Sequence, residues 1–189
     1  NLYRTCPVVI VFQIVCQPSA TWACKPEPAN SVVIQVTDAC PQCDSNQIDV
    51  QALTFQKLAP PNLGQIPVTL RRVNCQPPAS MNVTVPDSSG SGGWLRLQIA
   101  DVGATGSISL VQVRSQNGQW VSMTNTFGAI WELSQAPTFP IDMRIVNDAG
   151  QEVVGFGLLG NGWTGTKPTN LQFQLGVPQT VNGGQVGQP

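Results

Sequence analysis

The chain has 189 residues, only 10% of them charged, and a formal net charge of −1. Charge this sparse and balanced gives no basic footprint for nucleic acid or anionic membrane, and no apolar run approaches the roughly 20 residues of a membrane helix. It contains no histidine, which excludes Ser-His-Asp and Cys-His nucleophile activation and histidine-ligated zinc. Any acid–base chemistry falls to carboxylates, and no glycine-rich phosphate or dinucleotide loop is present.

Taken in chain order, "PVVIVFQIV" (7–15) is β-branched and too short to span a bilayer, so it reads as a buried strand, Val8 to Cys16. Strands are also expected over Val32 to Thr37 and Ile66 to Val73. "VQALTFQKLA" (50–59) is the one short helix, with apolar Leu53, Phe55 and Leu58 and a Pro-Pro stop. "CQPPAS" forms a short, stiff joint, with the linker at 77–80 between a first domain (1–76) and a second (81–175). Beyond it, strands recur at Asn82–Val85, Trp94–Ala100, Ser107–Arg114, Trp120–Met123, Ile141–Val146, Val153–Phe156 and Leu171–Leu175. Turns of the type "NGQ" and "NDAG" separate them. Short strands at this spacing indicate an all-β immunoglobulin-like sandwich. The tail 176–189 has nothing to bury and is expected to be disordered.

All six cysteines lie at or before Cys75, the pattern of a disulfide framework in a secreted domain. "NVT" at Asn82 is an N-glycosylation sequon, consistent with export. "CPQC" (40–43) could be half a zinc site or a redox motif. No second CxxC or histidine completes a metal set, however, and the motif follows a strand into a polar loop. A structural staple is favoured. The cheapest loops to close are Cys40 with Cys43 and Cys16 with Cys24, leaving Cys6 with Cys75, although six cysteines allow fifteen connectivities. No metal and no cofactor are expected.

The first half holds four acids: Glu27, Asp38, Asp44 and Asp49. Glu27 and Asp44 sit in polar or proline-rich turns and read as solvated. Asp38 closes the apolar run "VVIQV", and Asp49 lies between Ile48 and Val50, an apolar setting of the kind that desolvates a general acid. Asp38 could equally bond the backbone of its own turn. In the second half, "WLRLQIA" alternates strictly: Leu95, Leu97 and Ile99 form an apolar face and Trp94 joins Arg96 and Gln98 on the other. Trp94 is therefore expected to face solvent. Phe127 and Trp131 occupy "TNTFGAIWEL", which reads as an irregular loop offering rings for sugar stacking. Trp120 and Trp163 are expected to pack at the core or an edge.

"VVIQVTDACPQC", "NQIDVQALTFQKLA" and "GQIPVTLRRVNC" together resemble the first domain of expansins and their barwin-like relatives. "GGWLRLQIADVGATGSISLVQVRSQNGQWVSM" and "IDMRIVNDAGQEVV" resemble the second expansin domain, a cellulose-binding sandwich. The resemblance implies a double-psi β-barrel, incomplete in its N-terminal part because fewer strands than it needs are legible before Cys75. The family's Thr-Asp falls on Thr37 and Asp38, its helix-preceding acid on Asp49, and its planar sugar-binding aromatics near Trp94, Phe127 and Trp131. The family's His-Phe-Asp is Gln47-Ile48-Asp49 here. The implied function is a secreted, monomeric cell-wall protein that grips cellulose, xyloglucan or mixed β-glucan and loosens the wall without hydrolysis. An inverting endoglucanase using Asp49, or a purely structural wall protein, are the alternatives.

Overall fold

A computed structural model describes residues 10–19, 23–74, 79–88 and 90–175. The chain divides into two compact units, one spanning Val11–Val73 and the other beginning at Asn74. The expected Cys6–Cys75 pairing and the tail lie outside the described residues, as does half of the 77–80 joint. No helix among the described residues is long and apolar enough to cross a membrane.

In the first unit, β1 (Val11–Cys16), β2 (Ser31–Gln35) and β3 (Val68–Val73) form an antiparallel sheet in the order β2-β1-β3. Its core is small: Ile14, Cys16 and Leu58 are fully buried, with Val32, Ile34, Ile48, Val50, Ile66 and Val68 packed around them. Cys16 is bonded to Cys24 and Cys40 to Cys43, which suits a unit with little apolar area to bury. The helix α1 is a single turn, Ala52–Phe55, followed by a 3-10 turn at Pro61–Leu63. Leu58 reaches the core, but Leu53 is 73% exposed, so the expected apolar helix face does not form. The turn is too short to bring both residues to one side.

The second unit is a β-sandwich. One sheet has the order β11-β10-β6-β7, from β6 (Ile108–Ser115), β7 (Val121–Ser122), β10 (Ile141–Asn147) and β11 (Glu152–Leu159). The other has the order β12-β4-β5-β9-β8, from β4 (Asn82–Val85), β5 (Leu95–Ala100), β8 (Thr124–Phe127), β9 (Ile130–Leu133) and β12 (Gly165–Pro168). Alternation builds the core between them. Val83, Val85, Leu95, Leu97, Ile99 and Trp131 face Val111, Val113, Ile141, Met143, Ile145 and Leu159, all at most 5% exposed. Two expectations are corrected. "TNTFGAIWEL" is a β-hairpin and not an irregular loop. Leu171–Leu175 joins no ladder, although Phe173 is buried; the edge strand is β12 instead.

A buried acid braces the first of these sheets. Asp142, 4% exposed, accepts a hydrogen bond from the Nε of Arg114 (3.1 Å), its direct cross-strand neighbour, and from the Gly157 N–H (2.8 Å). Hydrogen bonds to a charged group are worth about 1.5–3 kcal/mol each when buried. Asp142→Asn keeps one acceptor and loses the charge, so it should lower stability by about 2 kcal/mol in denaturant unfolding. An unchanged midpoint would show that the Asp142 charge does not brace the sheet.

Candidate polysaccharide-binding site

The residues of "VTDACPQCDSNQIDV" gather around one groove of about 800 Å³ in the first unit. Ile48 and Val50 pack on the small core, so the extended backbone turns Asp49 between them outwards. Asp49 accepts a hydrogen bond on Oδ1 from Gln47 Nε2 (3.0 Å), and its Oδ2 lies 3.5 Å from Cys40 Sγ. That sulfur carries no proton, being bonded to Cys43, so the contact is a close approach and not a hydrogen bond. The disulfide is thus the wall against which the carboxylate rests. Cys40, Cys43 and Asp49 offer ligand atoms within 4.8 Å of one another, but oxidised sulfurs are no thiolate ligands, and Asp49 is the only anion of the three.

Thr37 and Asp38 line the same groove. Asp38 Oδ1 accepts the Ala39 N–H at 2.8 Å, the local backbone bond that its short side chain permits. Both Asp38 and Asp49 are exposed. The apolar neighbours that were expected to desolvate them point the other way, into the core, and this corrects the reading of a buried acid. Asp44 is exposed beside the same loop.

In the second unit the outer face of the β12-β4-β5-β9-β8 sheet presents Trp94, 36% exposed, and Phe127, 57% exposed. A bulge between Asn125 and Phe127 resets the alternation and pairs Phe127 with Ile130, which in turn pairs with Gln98 on this outer face. Trp94 precedes Gln98 by four residues. At about 3.3 Å per residue and 4.8 Å per strand, the two aromatic positions lie on a diagonal roughly 16 Å long. Arg96 and Glu132, cross-strand partners joined at 3.3 Å, sit between them. Neither this ion pair nor Ile130 was singled out by sequence; the strict alternation that exposed Trp94 also placed Arg96 there.

Trp131 does not belong to this surface. It is 5% exposed and sits opposite Leu97, which is wholly buried, so its ring faces the core. The expectation of a third exposed ring is corrected by this register. Trp163 packs against the core with the Lys167 ammonium 4.7 Å from its ring centre. Trp120, expected at the core or an edge, lies beside the edge strand β7, where it stacks under Arg114. Asn82 Nδ2, the sequon nitrogen, donates to Asp101 Oδ2 at 2.6 Å from a half-buried position.

These features define a two-domain, nearly all-β protein in which a unit built on a three-stranded antiparallel sheet precedes a β-sandwich. Residues 81–156 match the domain family described as Expansin C-terminal domain, and residues 10–70 match the double-psi β-barrel family described as Lytic transglycolase. Expansin-A7 of Arabidopsis thaliana is 28% identical over 171 residues, covering 82% of this chain and 63% of the relative. Expansin-A10 of Oryza sativa subsp. japonica is 27% identical, covering 65% of this chain and 47% of the relative. The chain therefore spans about half to two thirds of these relatives' length. Among solved structures, the apo expansin of Clavibacter michiganensis shares the fold at a TM-score of 0.65 and 21% identity, over 89% of this chain and 76% of that one. A point mutant of that expansin in complex with cellohexaose gives 0.66 over the same shares. The chain belongs to the expansin family.

Proposed function

We propose that this chain is a secreted, monomeric cell-wall protein that binds β-glucan and loosens the wall by competing with polysaccharide–polysaccharide contacts, without hydrolysis. The observation that carries the reading is the diagonal of Trp94, the Arg96–Glu132 pair and Phe127 on one sheet face. Pyranose rings have apolar faces that stack on aromatic rings and hydroxyl rims that bond charged groups. Exposed rings with a polar pair between them match that chemistry. The related bacterial expansin bound to cellohexaose supports the same ligand class. In the first unit, Thr37, Asp38 and Asp49 would contact a glucan strand lying in the groove.

The test is Trp94→Ala with Phe127→Ala, measured by depletion from insoluble cellulose. Each ring removes stacking of about 1 kcal/mol or more, so affinity should fall by about tenfold or more with unchanged thermal melting. Wild-type binding by the double variant would overturn the platform. The second reading is an enzyme that cleaves the polysaccharide; the family matched over residues 10–70 carries an enzyme's description, Lytic transglycolase. Inversion needs a second carboxylate about 6.5–9.5 Å from the acid to activate water, and Asp38 spends one oxygen on its own turn. Reducing-sugar release from soluble β-glucan, lost in Asp49→Asn, would establish that reading in place of the first.

A further inference from the structure

The opposite face of the sandwich is also furnished. On the outer side of the β11-β10-β6-β7 sheet, the Arg114 guanidinium lies 4.4 Å from the Trp120 ring centre and 6.0 Å from that of Phe156. Phe156 is 71% exposed and contributes nothing to the core. Its position is constructed. The register between β10 and β11 shifts between Ile141 and Met143, and Gly157 takes a left-handed φ of 59°, a conformation glycine adopts without a Cβ penalty. The buried Asp142 then holds the Gly157 N–H with one oxygen and Arg114 with the other. One carboxylate thus fixes both the bulge that turns Phe156 outwards and the cation standing between the two rings.

A polar row runs beside this aromatic row. Ser122 Oγ accepts from Gln112 Nε2 (3.1 Å), Gln112 Oε1 accepts from Arg144 (3.1 Å), and Arg144 pairs with Glu152. The two rows are two residues apart along the strands, roughly 7 Å. Their charges are matched internally, Arg114 with Asp142 and Arg144 with Glu152, so among the described residues the face offers an anionic polymer no spare cation. An exposed Phe156 ring beside hydrogen-bonding groups whose charges cancel suits an uncharged sugar chain.

We propose that this face is a second carbohydrate-binding surface, taking a neutral β-linked glucan chain against Phe156 and the Trp120–Arg114 stack. The choice of ligand class rests on the polysaccharide-binding reading above. Because Trp94 and Phe127 lie on the outer face of the other sheet, the sandwich holds one chain on each side and bridges two polymer surfaces.

Bridging gives the test a readout that single-faced binding lacks. The full chain is mixed with suspended cellulose microcrystals, and particle growth is followed by light scattering beside a depletion isotherm. Wild type should aggregate the crystals and lose the effect at excess protein, when each face is separately saturated. Phe156→Ala should bind at near wild-type affinity at high cellulose, melt unchanged, and slow particle growth at least about fivefold. Phe156→Tyr should restore growth. Adding Phe156→Ala to the Trp94→Ala, Phe127→Ala variant should remove residual binding by a further factor of roughly ten. Unchanged growth with Phe156→Ala, or unchanged residual binding in the triple variant, would overturn the proposal. So would sedimentation showing a wild-type dimer that Phe156→Ala converts to monomer, since the face would then be an interface between two copies. Failure of the platform reading looks different: Trp94→Ala with Phe127→Ala would bind normally while Phe156→Ala alone abolished binding.

Discussion

Trp131→Ala should lower the unfolding free energy by about 3–5 kcal/mol, the range for truncating a buried tryptophan. The ring is 5% exposed, shares its face with Leu97 and belongs to the cluster that joins the two sheets. Its removal costs both the transfer of a large apolar surface and the cavity left behind, which strands cannot collapse to fill without breaking register. The indole Nε1 is buried without a hydrogen-bond partner, so Trp131→Phe surrenders no polar contact and should cost clearly less than Ala. Trp94→Ala, at a 36% exposed strand end, should shift the denaturation midpoint only slightly. Measured well below the transition, folded Trp131→Ala should still bind cellulose nearly as wild type does. A variant that melted normally yet lost binding would return Trp131 to the surface.

The contrast between these two tryptophans marks how far alternation carries. In "WLRLQIA" the strand is uninterrupted, so period-two reading places Trp94 outside and Leu95, Leu97 and Ile99 inside, as observed. Phe127 and Trp131 are four residues apart and would share a face in one continuous strand. Between them, however, Gly128 and Ala129 make a tight turn, with Gly128 at a φ of 54°. Such a turn pairs Phe127 with Ile130 on one face and sends Trp131 to the other. A lone "FGAI" is a weak turn signal, and the bulge beside it has no sequence mark of its own. "LQFQL" fails differently. It alternates, and Phe173 is buried, but Thr169 N–H bonds Met81 O and Met81 N–H bonds Leu171 O outside any continuous ladder. Alternation reports burial, not pairing. Edge strand β12 ends in Pro168, which an edge tolerates, and lacks the apolar alternation that would reveal it. In the first unit, residue identity located the groove acids, while their exposure depended on which side of the backbone met the core.

Asp49→Asn is expected to reduce wall creep, measured on clamped, heat-inactivated wall strips, by about tenfold or more while leaving stability and cellulose pull-down nearly unchanged. The substitution keeps size and shape, and the Oδ1 bond from Gln47 Nε2 can persist. The carboxylate is exposed, so no buried charge is stranded and the fold loses little. The loss is the anionic acceptor in the groove. A hydrogen bond to a charged group is worth about 1.5–3 kcal/mol, enough for a tenfold effect if it strengthens as a glucan is pulled from its neighbours. Ile48 and Val50 anchor the backbone on either side, and the Cys40–Cys43 disulfide backs the second oxygen. The acid is therefore held in place before any polymer arrives, which lowers the ordering cost of gripping it. Asp38→Asn should have a smaller effect, because one oxygen of Asp38 already serves the Ala39 N–H. The ranking matters more than either value. If Asp38→Asn abolished creep and Asp49→Asn did not, the groove would be organised around the turn at Thr37 and Asp38, and the disulfide wall behind Asp49 would be structural only. If neither change altered creep, loosening would have to arise from the sandwich faces alone.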